Sequence, residues 1–373
     1  MVTKKVYGST ELGGTVTVTE RNLNAISLGF DSAVALIGGY DTNEADEAVS
    51  PNEVELVQDA SEAESRYGTN SELARATDIA YRQNVARVYC VPVDETSETE
   101  SFAGMQSLTL SNTPIMDPNI HDEHSITVTD TTGGGEVATN IVYDDAPTTP
   151  SEADTANVNP NKGLIEVDES SDYDVSYDYA DYQSAIQAAI GENVRFIVAL
   201  TENSSVGDTL LSEINNRANS YDFMRGVVGA TPNADPSTYT PSQDDQRLVV
   251  TAASRGIDIN DNEVRNAAAV GASLAANPLG ESLIYDTLSG IKRLKTYDGY
   301  DGTPVEAKTF SQVTPLVESG SIEVADSITT STSEVFQDVF QCEIIDEAAF
   351  LSRKIAKNRE GGSNFAGSQA LLL

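Results

Sequence analysis

The residues of this chain that could carry metal chemistry lie in one short stretch. His121 and His124 are its only histidines, and Asp122 and Glu123 lie between them. A zinc site usually takes three or four ligands at defined spacings, and the sequence offers no second ligand group. The stretch is therefore typical of a surface loop between strands, and we predict no metal site.

Nucleotide and nucleophile chemistry also lack their motifs. A dinucleotide fingerprint needs G-x-G-x-x-G between a strand and a helix. Here Gly38, Gly39 and Tyr40 follow an apolar run and lead into an acidic loop that would repel an anionic cofactor. There is no G-x-S-x-G motif and no cysteine with a plausible histidine partner. We therefore predict no catalytic residues and no cofactor, and an enzyme is disfavoured.

The net charge excludes further classes of function. The 373 residues hold 22 Lys and Arg against 59 Asp and Glu, a net charge of −37. Such a field repels phosphates, so nucleic acid is not an expected partner. No apolar run approaches the roughly 20 residues of a membrane helix, and the N-terminus has no apolar signal core. Neither membrane insertion nor Sec export is expected.

This acidity needs its own explanation, because self-repulsion destabilises a compact state in dilute buffer. At about 1 M ionic strength the Debye length falls to roughly 3 Å, and neighbouring carboxylates then hardly interact. Lysine is also scarce, with 8 residues against 14 arginines. The composition favours a halophilic source, and the alternative is an ordinary acidic surface.

Residues 94–181 differ from the rest in charge and periodicity. They carry 20 acidic residues and one base, Lys162. Segments that alternate apolar and polar residues are separated by Gly, Pro, Asn and Asp clusters, which predicts antiparallel strands. The five segments are SLTLS, HSITVTD, ATNIVYDD, GLIEVDE and YDVSYDY. We expect an inserted all-β domain, sandwich-like or barrel-like.

The remaining chain alternates apolar strands with amphipathic helices, which predicts an α/β (α+β) core with helices covering both faces of a sheet. Strands are expected at 33–38, 86–93, 194–200, 223–230 and 247–253, and helices at 71–84, 181–191, 206–220 and 262–277. The last third predicts a short helix over 309–320, strands at 321–326 and 334–344, and a helix over 345–359. Cys90 and Cys342 lie in apolar runs and are predicted to be buried strand residues.

Two segments are candidate contact surfaces. The first 29 residues contain TVTVTE, an alternating strand with no partner nearby in sequence, which is typical of an extended arm. Seven bases concentrate near the end of the chain: Lys292, Arg293, Lys295, Arg353, Lys354, Lys357 and Arg359. They either stabilise a helix dipole or form a docking face for an acidic neighbour. The predicted organisation is an arm (1–25), a core (26–93 plus 182–373, with a second subdomain from about 254) and the insertion (94–181).

Several segments, taken in order, resemble contractile tail sheath proteins of tailed viruses and related injection machines. The opening matches at an apolar strand (34–38), a Ser-Glu-Ala segment (61–63), Tyr67-Gly68, a helix of small residues (73–81) and a strand ending in Val93. The later match runs through RLVVTAASRGID, AAAVGASLAANPLGESLIYDTLSGI, the IEV strand, Thr329-Thr330 and IIDEAAFLSRKI. The resemblance covers nearly the whole chain. With the acidity, it indicates a virus of a haloarchaeon or a halophilic injection system.

The resemblance implies a structural subunit of a virion. Family members stack as hexameric rings around a tail tube, exchange strands between subunits, and contract to drive the tube through the host envelope for genome ejection and host entry. It implies an inter-subunit arm at Thr15, Val16, Thr17, Val18 and Thr19, and a tube-facing basic helix at Arg353, Lys354 and Lys357. The expected partners are other copies, the tail tube, the baseplate and the tail terminator, with assembly in the host cytoplasm and the insertion facing outward.

Two points leave alternatives open. Sheath proteins generally continue past this helix into a C-terminal arm, whereas this sequence stops at GSQALLL, so either the chain is truncated or its C-terminal linkage is made differently. An acidic surface or adhesin protein of a halophile would share the charge and the β segments but predicts an export signal and mainly β structure. An α/β enzyme with a β insertion predicts a monomer with a pocket of converging polar groups.

Overall fold

A computed structural model describes residues 32–46, 48–116, 124–144, 146–220, 222–235, 237–295, 309–316 and 321–361. These residues form three sheets and six helices. The predicted arm, including Thr15–Thr19, and His121 lie outside the described residues. Mixed α/β architecture is confirmed.

The central sheet has eight strands in the order β16-β15-β11-β10-β9-β1-β3-β2. Its strands are β1 (Ala33–Gly38), β2 (Glu55–Val57), β3 (Arg87–Pro92), β9 (Phe196–Ala199), β10 (Arg225–Gly229), β11 (Leu248–Ala252), β15 (Ser311–Pro315) and β16 (Ile322–Asp326). Six neighbouring strands from β15 to β3 run parallel, and β2 and β16 are antiparallel edges. Every residue of β1 and β9 is buried, as expected where helices cover both faces of a sheet.

Helices cover both faces of this sheet. They are α1 (Ala60–Tyr67), α2 (Glu72–Arg82), α3 (Tyr182–Ala189), α4 (Ser204–Ala218), α5 (Asn266–Ala276) and α6 (Val339–Gly361). Apolar residues of α1, α2 and α5 form one core cluster with the sheet, and those of α3 and α4 form a second. Ser71 caps α2, since its side chain accepts a hydrogen bond from the N–H of Ala74. Gly271 lets α5 lie close to β9, because a Cβ there would be 2.4 Å from Val198 Cγ2.

A second sheet contains β4 (Asp94–Thr109), β5 (Ile126–Asp130), β6 (Gly135–Ile141), β7 (Thr155–Asn159) and β8 (Leu164–Asp181). The 18-residue β8 pairs with β4 along one edge. On its other edge it pairs with β7 and then with β5, so the sheet closes on itself like a small barrel. The register pairs Asp94 with Asp181, which places both connections to the core side by side. A third sheet has three short strands, β12 (Arg255–Asp258), β13 (Glu263–Arg265) and β14 (Ile291–Leu294).

Several sequence predictions are wrong in detail. Residues 311–315 form a strand and not a helix, because β15 extends the buried sheet beside β11. The predicted strand over 334–344 becomes helical from Val339, so Cys342 lies in α6, whereas Cys90 lies in β3 as predicted. In the acidic region, GLIEVDE and YDVSYDY belong to one strand, β7 was missed, and β6 pairs with β7 in parallel. Long-range pairing decides these cases, and local periodicity does not encode it.

Candidate assembly surfaces

The parallel sheet has a natural ligand crevice between β1 and β9. After β1 the chain adds β3 on one side of it, and later adds β9, β10 and β11 on the other side. The direction in which strands are added therefore reverses between β1 and β9. In open parallel sheets ligands bind outside the carboxyl ends of the strands at such a reversal. The carboxyl ends here are Gly38 and Leu200, which lie next to each other because the N–H of Leu200 donates to the carbonyl of Ile37 at 2.8 Å.

Buried ion pairs of the chain itself fill this crevice. The carboxylate of Glu72, at the start of α2, accepts from the N–H of Gly39 at 2.8 Å and pairs with Arg265. Arg265 also pairs with Glu202, which follows β9. Arg255 Nε lies 3.0 Å from Glu202 Oε1, and both side chains are 1% exposed. Arg255 Nη1 continues the network to Glu263 Oε1 at 2.9 Å.

Mutual neutralisation keeps these groups charged despite burial. Burial disfavours the ionised Glu202 carboxyl, but the neighbouring charges of Arg255 and Arg265 outweigh it and lower its pKa to about 2. Burial likewise lowers the pKa of Arg265, and Glu202 and Glu72 reverse the effect and raise it. Burial, with the like charges of Arg255 and Arg265, lowers the pKa of His124 to about 3. The crevice therefore holds a network of charged carboxylates and guanidinium groups that pair with one another.

The barrel sheet closes over this network. The Arg255 guanidinium lies 4.9 Å from the ring centroid of Tyr143, a cation–π contact between core and barrel. Asn203, the cap of α4, donates to the carbonyl of Asn161 at 2.6 Å and to Thr113 Oγ1 at 3.2 Å. About 20 Å³ is left beside the arginines, room for a single water and not for a cofactor.

A larger cleft of about 530 Å³ lies between the barrel and the ends of β10 and β11. Its lining is mostly hydroxyl and amide side chains and contains neither histidine nor cysteine. Two of its carboxylates already have partners, since Asp144 accepts from Asn233 at 2.7 Å and Asp235 accepts from Ser237 at 2.7 Å. A pocket of converging polar groups is what the enzyme alternative predicts, and this cleft is lined in that way.

At the amino ends of the parallel strands, a second set of buried ion pairs holds α6 against the sheet. Arg195, Arg225 and Arg247 stand at the amino ends of β9, β10 and β11. Arg195 pairs with Glu343 at 2.6 Å, and Asp346 pairs with Arg225 at 2.5 Å and with Arg247 at 3.2 Å. Glu343 and Asp346 are three residues apart and so lie on one face of α6. The helix is thereby fixed across three neighbouring strands.

The outer face of α6 is exposed and apolar where the helix is anchored. Ile344 is 49% and Ile345 is 43% exposed. Beyond the anchors, Arg353 Nη1 donates to the carbonyl of Ser220 at 3.0 Å, and Lys354 Nζ lies 5.8 Å from the Phe350 ring. Lys357 lies in the same helix, and its side chain is outside the described part. The structure thus places four of the seven predicted bases on one helix, whereas Lys292 and Arg293 lie in β14 and Lys295 directly after it.

Sequence reasoning missed both ion-pair networks, although one signal was available. Three successive apolar strands each begin with an arginine or directly follow one. The segments are VRFIVA, MRGVVG and QRLVVT. Such regular placement of a charge beside buried strands predicts a shared acidic partner. The crevice network has no comparable signal, because its members come from four separate segments.

The described residues contain neither a metal-binding cluster nor a membrane-spanning helix. No group of three or more His, Cys, Asp or Glu side chains there could hold a metal ion. No helix in the same portion is long and apolar enough to cross a bilayer.

Comparison with solved structures identifies the architecture. The sheath tail protein of Desulfitobacterium hafniense matches with a TM-score of 0.50 and 12% identity, over 88% of this chain and 80% of that one. A chain of the anti-feeding prophage baseplate matches with a TM-score of 0.50 and 8% identity, over 96% and 77%. The same baseplate in its contracted state matches with 0.50 and 11% identity, over 98% and 78%.

The chain shares the fold of a sheath tail protein. No family model matches the sequence, and no curated relative matches it. At 8–12% identity the likeness concerns the fold, which extends along almost the whole chain.

Proposed function

We propose that this protein is a structural subunit of a contractile tail sheath and not an enzyme. The observation that carries the proposal is a fold shared with a sheath tail protein over 88% of the chain. The filled crevice supports it, because the place where a parallel sheet would bind a metabolite is occupied by Glu72, Glu202, Arg255 and Arg265.

The amino and carboxyl ends of the parallel strands would serve different tasks. At the amino ends, α6 packs on the sheet and the chain enters β1 from residues 1–31. Both segments that could link copies therefore leave the core at this end of the strands. The carboxyl ends carry the barrel, residues 94–181, which we propose as a separate acidic domain facing outward. Core copies could then shift against each other while their connectors stay joined, a rigid-body change of interfaces that needs no covalent chemistry.

The inter-subunit arm would be Thr15, Val16, Thr17, Val18 and Thr19. Its alternating residues can add a strand to an exposed sheet edge of another copy, because main-chain hydrogen bonds supply affinity whatever the side chains. Copies linked in this way would stack as hexameric rings.

The basic end of α6 would face the tail tube through Arg353, Lys354 and Lys357. Three cations on a chain of net charge −37 form a local field that an acidic tube surface would complement, which fixes orientation and register more than affinity. The tube, the baseplate and a tail terminator would be its partners in a virion assembled in the host cytoplasm. Contraction would drive the tube through the envelope for genome ejection.

The acidity suits a virus of a haloarchaeon or another particle that works in brine.

Electron microscopy of the purified chain tests the function directly. We expect tubes or stacked rings at about 2 to 4 M KCl, where the Debye length is below about 3 Å. A chain that stays monomeric at every salt and protein concentration would contradict the proposal. Deletion of residues 1–20 should leave a folded subunit that no longer polymerises, and unchanged polymers would refute the arm.

A further inference from the structure

The cleft of about 530 Å³ between the barrel and the core has the volume of a small-molecule site. A second space of about 180 Å³ adjoins it, because Lys162, Glu202, Ser204 and Thr231 line both. Glu202 follows β9 and Thr231 follows β10, so the two spaces lie at the carboxyl ends of parallel strands, where ligands bind in sheets of this kind. The buried ion pairs fill the crevice between β1 and β9 and leave this neighbouring cleft open.

The lining of the larger space is rich in groups that donate and accept hydrogen bonds. The segment between β10 and β11 contributes five hydroxyl side chains to it, those of Thr231, Thr238, Tyr239, Thr240 and Ser242. Amide side chains of the same segment add to this lining. The hydroxyl groups of a saccharide are donors and acceptors at once, so they complement such a surface. An apolar ligand would bury these polar groups without partners, which is unfavourable.

Two buried amides hold the loops around the cleft in place. Asn159 is 1% exposed, and its Oδ1 accepts from the N–H groups of Asn161 and Lys162, each at 3.0 Å. Its amide donates to the carbonyl of Asp144 at 2.8 Å, so this one side chain joins the two barrel loops that border the cleft. Asn203, which caps α4, ties the same loops to the core through the carbonyl of Asn161 at 2.6 Å. A cleft with walls fixed in this way needs little ordering when a ligand binds.

The smaller space is suited to an anionic group. Residues 94–181 carry 20 acidic residues and one base, and that base, Lys162, lines the cleft. Ser204 and Ser205, in the first turn of the 15-residue α4, line the smaller space beside it. The amino end of a helix carries a partial positive charge. A lysine and a helix amino end therefore converge on one end of the cleft.

The carboxylates of the cleft limit how much negative charge a ligand can bring. Asp144 and Asp235 line the larger space and not the smaller one. Glu202 lines both, but Arg255 and Arg265 balance its charge. A ligand with several anionic groups, such as a nucleoside diphosphate, would set some of them against Asp144 and Asp235. A hydroxylated ring with a single carboxylate matches both ends.

We propose that this cleft binds an acidic saccharide, a sugar unit with several hydroxyl groups and one carboxylate of the uronic-acid type. The carboxylate lies at Lys162 and the first turn of α4, and the ring hydroxyls bond to the segment between β10 and β11. Assembly into a sheath does not require such a site, so the inference goes beyond the proposed function. It gives the subunit a binding activity at the junction of barrel and core.

Ligand-observed NMR titration of the full-length chain tests the class of ligand. The probes are methyl β-D-glucuronide and methyl β-D-glucoside, which differ only in the carboxylate at C6. At the lowest salt at which the chain is folded, where charges are least screened, the glucuronide should saturate with a Kd at least tenfold below that of the glucoside. Acetate, a carboxylate without ring hydroxyls, should bind at least tenfold more weakly than the glucuronide. Equal Kd values for the two sugars, or for glucuronide and acetate, would overturn the proposal.

Variants locate the binding. Lys162→Gln should weaken the glucuronide at least tenfold and leave the glucoside within about twofold of its native Kd. Lys292→Gln is the matched control, because Lys292 is an exposed lysine that pairs with Asp261 away from the cleft, and it should change neither Kd more than twofold.

Two bulky substitutions test the cleft itself. Thr231→Trp fills the point where the two spaces meet, and Ser242→Trp narrows the larger space from an exposed position, which keeps the test decisive if the first variant fails to fold. Each folded variant should lose saturable glucuronide binding, with folding checked by circular dichroism. Thr132→Trp, in an exposed turn of the barrel outside the cleft, is the control for size.

The outcomes separate the site from the sheath function. Glucuronide binding that survives Lys162→Gln, or that survives the folded tryptophan variants, would place the sugar elsewhere and overturn the proposal. Electron microscopy of Lys162→Gln should still show tubes or stacked rings. Tubes formed by a chain that binds no glucuronide would refute the site alone, and binding by a chain that never assembles would refute the sheath function alone.

Discussion

Arg195 and Glu343 are 148 residues apart in sequence, yet their side chains meet at 2.6 Å with 6% of each exposed. The same guanidinium donates to the carbonyls of Ala275 at 3.0 Å and Asn277 at 2.7 Å. One side chain therefore joins the start of β9, the end of α5 and the first turns of α6.

Asp346 should be the most sensitive residue of that junction. It serves two arginines, so D346N leaves Arg225 and Arg247 buried without a counter-charge, and removal of one partner of a buried pair typically costs about 3 to 5 kcal/mol. Urea unfolding at fixed salt measures the loss. The matched control is D222N, because Asp222 forms only an exposed pair with Arg217 at 3.6 Å and should lose less than about 1 kcal/mol. Equal losses would show that α6 is not anchored through Asp346.

Two helix glycines should differ in how far alanine changes stability. At Gly271 of α5 a new Cβ would meet Val198 Cγ2 at 2.4 Å, so G271A should cost about 1 to 3 kcal/mol through displacement of α5 from β9. At Gly207 of α4 the nearest atom, 3.3 Å away, is Gln243 Nε2, which donates to the carbonyl of Ser204 at 2.9 Å and to Asp208 Oδ1 at 2.6 Å. A small shift of this amide offsets part of the up to about 1 kcal/mol by which alanine favours the helix, so G207A should change stability by less than about 1 kcal/mol. Thermal unfolding of both variants checks the contrast. A stabilised G271A would mean that α5 packs differently.

The ion pairs in the crevice should make the free energy of unfolding depend on pH. The pKa of Glu202 is lowered to about 2 in the folded chain from an ordinary value of 4.5, so the carboxylate stabilises the fold above about pH 4.5 and that contribution is lost as the pH falls toward 2. E202Q should be less stable than the native chain at pH 7. The difference should shrink by about 2 kcal/mol between pH 5 and pH 3, as 1.36 kcal/mol per pKa unit requires.

Urea unfolding across this pH range, at constant salt, provides the measurement. E152Q, at an exposed glutamate of the acidic region, serves as the control and should show no such convergence. Parallel pH curves for E202Q and the native chain would mean that Glu202 is not held ionised by Arg255 and Arg265.

Local elements were predictable from sequence because their signals are local. The strand at Ala33–Gly38 follows from a run of six apolar or small residues, and α2 follows from the Ser71 cap and its apolar spacing. The strand at Ser311–Pro315 was predicted as a helix, since SQVTP carries no strong period and its pairing with β11 and β16 makes it a strand. The mixed fold class was predictable for the same local reason.

The candidate surfaces were less accessible to sequence reasoning. Basic residues of α6 can be counted in the sequence, but the crevice network joins Glu72 to Arg265 across 193 positions, a contact that only topology creates. The barrel closure depends on β8 pairing with two strands along one edge, which two separate alternating segments do not reveal.

Deletion of the acidic barrel should show whether its charge sets the salt concentration that the core needs to fold. Asp94 and Asp181 are register partners, so a two-residue Gly-Gly turn can span from Val93 to Tyr182, although α3 then loses its Asp181 cap, which accepts from the N–H of Gln183. Residues 94–181 contribute 1 − 20 = −19, which leaves −37 − (−19) = −18. With the net charge roughly halved and self-repulsion reduced further still, the core should fold at lower KCl than the full chain, as circular dichroism against salt would record. The deletion also uncovers Arg255, which loses the Tyr143 ring at 4.9 Å. We therefore expect a lower salt requirement together with a lower maximal melting temperature, and an unchanged salt midpoint would show that the barrel's charge does not set the requirement.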